Sequence, residues 1–169
     1  MNPNNTEVNK LTKESIALAA KALLMERKDL SVTDICKKAG VSRNAFYRNF
    51  GMLDEVIVFY IALGWTDYSE KNGVEACPED KKGIHLLRFF YEEREFVRAL
   101  REKKLLHLVE RTFVNTIVPE GIDGGARYFL YSAAYLMYGF IRAMIDNDFR
   151  DKPEDVQQMI ESFNLQNNG

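Results

Sequence analysis

The run Leu30-Ser-Val-Thr-Asp-Ile-Cys-Lys-Lys-Ala-Gly-Val-Ser-Arg-Asn-Ala-Phe-Tyr-Arg-Asn-Phe50 decides the fold. It reads as two short helices joined by a tight turn. Ser31 can cap the first helix, with Asp34 three residues on placed to reach back to its amide. Ile35, Cys36 and Ala39 give that helix a short apolar face. Gly40 ends it, as a residue that tolerates the left-handed backbone region. Val41 follows, and Ser42 supplies a second cap two residues after the glycine. The second helix spans residues 43 to about 49, with Phe46 and Phe50 available to pack. A cap, a glycine turn, an apolar residue and another cap, in that order, predict a helix-turn-helix.

Working outward, the preceding helix is expected over residues 12 to about 28. Thr12 would cap it, and Leu11 and Ile16 have the spacing of a hydrophobic staple. Ile16, Ala19, Ala20, Leu23 and Leu24 then form one stripe at the 3.6-residue period. The polar, Asn-rich residues 1–10 read as a short disordered arm, neither signal peptide nor anchor. Downstream, Leu53, Val56, Ile57, Tyr60, Ile61 and Gly64 predict a longer helix that ends at Asn72-Gly73. Asp54 and Glu55 suit the positive end of its dipole. Further helices are expected over 79–102 with a break near Glu93, then over 104–117, 126–148 and 153–165, the last opened by Pro153. No strand pattern appears. The fold class is all-α with about nine helices: a three-helix N-terminal unit over 8–68 with its motif at 31–50, and a helical C-terminal body over 69–169.

Composition agrees with this reading. The chain has 169 residues, 46% hydrophobic and 28% charged, with only four prolines. That length buries a core without disulfides or metal, and Cys36 and Cys77 make no disulfide framework, so a reduced cytoplasm is expected. No apolar run approaches the roughly 18–20 residues that span a membrane. Net charge is −2, but it is unevenly spread. Residues 27–50 carry six basic and two acidic side chains, whereas residues 74–169 carry 13 basic and 16 acidic. A basic segment on a mildly acidic body suits a protein that presents one face to a polyanion.

The motif resembles the signature of the tetracycline-repressor (TetR) family, in which Ile-x-x-x-Ala-Gly-Val-Ser leads to an aromatic Phe-Tyr-x-x-Phe helix. The resemblance covers residues 11 to about 63, and it implies a transcription regulator, usually a repressor released by a small molecule. Helix chemistry supports the same partner, double-stranded DNA. In the opening turn of the second helix, Arg43 can pair with guanine, Asn44 with adenine, and Ala45 can touch a thymine methyl. Tyr47 and Asn49 fall where the family places phosphate contacts, and Thr33 matches a position at the groove edge. Ser31 and Ser42 flank the contact surface, and Lys37 and Lys38 would add nonspecific attraction. One departure stands out. Family members carry a Ser or Asn cap and then a phosphate-binding Lys at the start of the fourth helix; here those positions are Met52 and Leu53. A competing expectation follows from them, a chain whose DNA contacts have decayed and whose body acts through a protein partner.

The body is rich in aromatics. Tyr128, Tyr131, Tyr135 and Tyr138 recur at helical spacing, and they suit an effector pocket, a subunit interface or plain core. Trp65, Phe89, Phe90, Phe113, Tyr131 and Tyr135 are the candidates for an apolar small-molecule pocket. The resemblance implies a homodimer through the last two helices, with Leu136, Phe140, Met159, Ile160 and Phe163 as interface candidates. No enzyme, cofactor or metal site is expected. Glu92, Glu93 and Glu95 cluster, but His85 and His107 have Lys82 and Lys104 where a di-iron bundle needs Glu. Phosphate loops, Cys-x-x-Cys pairs and nucleophile elbows are absent from the sequence.

Overall fold

A computed structural model describes residues 3–26 and 29–167, with the side chains of 3–6, 79, 80 and 163–167 outside the description. Its described residues form nine α-helices, a single 3-10 turn and no strand. The helices are α1 Pro3–Met25, α2 Val32–Ala39, α3 Arg43–Asn49, α4 Leu53–Asn72, α5 Glu79–Glu92, α6 Arg94–Glu102, α7 His107–Ile117, α8 Gly124–Asp146 and α9 Pro153–Asn167. The 3-10 turn, Val74–Ala76, follows α4, which Gly73 closes at φ 62°.

The expected N-terminal arm and cap are corrected. α1 begins at Pro3, so Thr12 lies mid-helix and its hydroxyl donates to the Val8 carbonyl at 2.7 Å. Leu11 is exposed and staples nothing. The physical reason is local: no glycine or interior proline stands between residues 4 and 25, and Pro3 suits a helix's first turn. The expected stripe is otherwise buried in full, from Ile16 through Leu24.

α1 is the axle of the N-terminal part. It packs on α2, α3, α4 and α6, while α4 continues past residue 68 and packs on α7. α7 lies along α8, and α9 lies on α5. One continuous cluster of buried apolar side chains therefore runs from Ile16 through Phe46 and Val56 to Phe113 and Ile145.

Polar links cross the same seam. Lys21 on α1 donates to Glu93, between α5 and α6, at 2.8 Å, and the Tyr60 hydroxyl donates to that carboxylate at 3.3 Å. Burial alone would lower the Lys21 pKa. Hydrogen bonds to Glu93 and Tyr60, with the Glu93 charge, outweigh it and hold the ammonium above its ordinary range. At the far end, Asp148 and Phe149 both take left-handed backbone, and Arg98 and Arg101 of α6 bind Asp148 there. The break between α5 and α6 falls at Glu93, as the sequence suggests.

Candidate nucleic-acid interface and the clefts of the body

The caps that start the two short helices are formed. The Ser31 hydroxyl accepts from the Asp34 amide at 3.1 Å, and the Ser42 hydroxyl accepts from the Ala45 amide at 3.1 Å. Asp34 does not answer with the expected bond to the Ser31 amide; instead the Ser31 hydroxyl donates to its carboxylate at 2.6 Å. Gly40 turns the chain between them at φ 69°. A Cβ there would be strained by that backbone angle alone.

Behind the turn, Ile35 and Phe46 are wholly buried and Phe50 nearly so. Phe46 and Phe50 pack with ring centroids 6.0 Å apart. Burial also pushes the Cys36 thiol pKa up, with the Arg43 charge opposing, so this cysteine is a core group. α3 is thereby fixed along one side and free along the other.

The free side holds most of the predicted contact residues. Thr33, Lys37, Ser42, Arg43, Asn44 and Tyr47 are exposed, while Ser31, Ala45 and Asn49 are half-buried. Ser42, Asn44, Tyr47 and Arg48 share one shallow concavity. Tyr47 is 52% exposed, with its ring set edge-on to Phe46 at 5.4 Å. Asn49 is set apart, because its amide donates to the Ala45 carbonyl of its own helix at 2.7 Å. Among the described residues, Lys37, Arg43 and Arg48 pair with no carboxylate, whereas Lys38 is taken by Glu26 at 2.7 Å. Lys38 is therefore partly neutralised. Arg48 is the residue that sequence reasoning passed over. Its spacing of four from Asn44 was the available signal.

At the start of α4, Met52 makes no cap bond and lies exposed. The Glu55 carboxylate accepts from the Gly51 amide at 2.7 Å. An anion approaching this helix end thus meets the chain's own carboxylate.

In the body, Trp65, Phe89, Phe90 and Phe113 come together around one cleft among α4, α5, α7 and α8. Tyr131 and Tyr135 lie outside it. Tyr135 donates to Glu110 at 2.9 Å, a bond that raises its pKa, and Tyr131 sits under the Arg127 guanidinium at 5.3 Å. The interface candidates also divide. Leu136 and Met159 are exposed, while Phe140 and Ile160 line a second cleft against α5. Phe163 falls outside the described side chains. Tyr128 and Phe129, which were not singled out as surface residues, are 77% and 73% exposed.

Among the described residues no group of three or more His, Cys, Asp and Glu side chains converges for a metal, and no helix is long and apolar enough to cross a membrane. Glu93 is bound by Lys21 and Glu95 by Arg98.

No family model matches this chain, and no curated protein matches it. Among solved structures it is similar to a Clostridium perfringens chain described as a "putative fatty acid metabolism regulator". The two share 20% identity and a TM-score of 0.45, over 86% of this chain and 94% of that one.

Proposed function

We propose that this chain is a DNA-binding transcription regulator of the tetracycline-repressor kind, a homodimer that reads a palindromic operator and is released by an apolar effector. The carrying observation is α3 itself. Its core side is locked by Phe46, and its opening turn presents Arg43 and Asn44 exposed, with Arg43 paired to no carboxylate among the described residues. A short capped helix with such an end fits the major groove, where Arg43 reads guanine and Asn44 adenine. Tyr47 and Arg48 lie beside that end and, with Lys37 of α2, serve the phosphates. Asn49 contributes less than its position suggests, because its amide is already engaged.

The dimer assignment rests on the aromatic face of α8. Tyr128, Phe129 and Leu136 leave a large apolar area in water, of the kind that marks an interface. Two-fold pairing would set the two α3 helices on half-sites about 34–36 Å apart. The effector assignment rests on the cleft around Trp65 and Phe89.

A second reading, a protein-binding module without specific DNA binding, draws on the start of α4. There the exposed Met52 replaces a polar cap and Glu55 occupies the helix end. Selection from a randomised duplex library separates the two. A two-fold symmetric site with one guanine and one adenine preference per half-site is expected. Recovery of no preferred sequence would favour the second reading.

A further inference from the structure

The body holds two apolar clefts that share a wall. The first, about 170 Å³, lies among α4, α5, α7 and α8 around Trp65, Phe89 and Phe113. A volume of that size takes little more than one aromatic ring. The second, about 300 Å³, lies among α5, α8 and α9 against Ile84, Phe140 and Ile160. Leu86 and Met137 line both. Met137 is unbranched and partly exposed, so a change of rotamer there meets little resistance. Joined, the clefts reach the range of about 300–1,000 Å³ that holds whole ligands.

Charge narrows the class further. Among the described residues, neither cleft is lined by Lys or Arg, and Glu161 is the one charged side chain, at the second cleft. An anionic headgroup would enter apolar walls beside a carboxylate, with no counter-charge to offset its lost water. A neutral hydroxyl is better served. The buried Thr112 hydroxyl donates to the Leu108 carbonyl at 2.8 Å, which leaves its oxygen able to accept.

We propose that the two clefts are one site for an elongated, uncharged, apolar molecule, with Met137 and Leu86 as the partition its chain displaces. This rests on reading the body as the effector-binding part. It adds the shape and charge of the ligand.

The test is a series of straight-chain alcohols from 1-butanol to 1-decanol, with decanoate beside decanol, titrated into the full-length protein. Trp65, the single tryptophan, reports on the first cleft by fluorescence, and calorimetry gives the affinity. Affinity should rise about fourfold per methylene along the whole series, and decanoate should bind at least tenfold more weakly than decanol. Gly83→Leu fills the second cleft, where an added Cβ meets nothing within 4 Å. In that variant the rise should stop at the shorter alcohols. Ile160→Phe, filling from α9 and leaving Trp65 the single tryptophan, should repeat the result and guards against misfolding of the first variant. An unmodified series that flattens at the same length as the variants would overturn the proposal, and so would decanoate binding as tightly as decanol. A duplex-release assay keeps the broader reading separate. Alcohols that bind without releasing DNA leave this site standing and sink the effector role; no binding at any length sinks the site and leaves DNA recognition untouched.

Discussion

α3 and α8 both turn a helical face to water, and the two faces are built from opposite chemistry. On α3 the exposed residues are Arg43, Asn44, Tyr47 and Arg48; on α8 they include Tyr128, Phe129, Tyr135 and Leu136. Water satisfies the first face at no penalty. The second face carries a standing cost of roughly 25 cal/mol for each Å² of apolar surface left exposed. A polar face of this kind binds by charge and responds to salt, whereas an aromatic one binds by burial and hardly responds. The two regions therefore suggest two partners, held by forces that an experiment can separate.

The strongest expected effect removes the support of the first face. Phe46 is wholly buried beneath α3, so Phe46→Ala should cost on the order of 3–5 kcal/mol of stability. Thermal melts read this directly. A loss below about 1 kcal/mol would mean that α3 is held some other way.

The next tests the aromatic face. Leu136 is 64% exposed and adds little to the core, so Leu136→Glu should leave folding intact and weaken self-association by on the order of 2 kcal/mol or more. Light scattering should then show a shift from dimer toward the 19.5 kDa monomer. A dimer unaffected by this change would place the interface elsewhere.

Arg43→Ala and Asn44→Ala should each cost about 1–3 kcal/mol on the preferred duplex and relax base preference at one position per half-site. Melting temperature should not move, since both side chains are exposed. Competition binding against a site library shows whether the loss is selective or uniform. Lys37→Ala is the smallest expected change. It should weaken all sequences about equally and reduce the salt slope by about 1. Altered base preference in this variant would mean that α2, and not α3, faces the bases.

The same comparison explains what could be read in advance. Ser31, Gly40, Ser42 and Gly73 act on their own few residues, so the sequence alone locates α2, α3 and the end of α4. The stripe of α1 is equally legible, because helical periodicity needs no knowledge of neighbours. The start of α1 was not, since the polar residues before Thr12 contain no breaker and their composition looks like an arm. On α8, Tyr128, Tyr135 and Tyr138 share one periodic stripe yet differ from 77% to 8% exposed. The cause is tertiary: residues 124–129 are all exposed, while Tyr138 is covered and packs on Phe113. Periodicity gives a stripe its direction along the helix and is silent on where the covering helix ends. Glu55 at the Gly51 amide and the pairing of Lys38 with Glu26 likewise depend on side-chain placement that spacing does not reveal.

The central claim is that the face of α3 binds duplex DNA through its phosphates and reads its bases. The most direct measurement is the dependence of log affinity on log salt for the selected duplex. Each phosphate neutralised by Lys or Arg should add about −0.9 to the slope. Lys37, Arg43 and Arg48, which pair with no carboxylate among the described residues, predict a steep negative slope, while the dimer measured alongside stays intact as salt rises. A flat slope, with the dimer still present, would contradict the account.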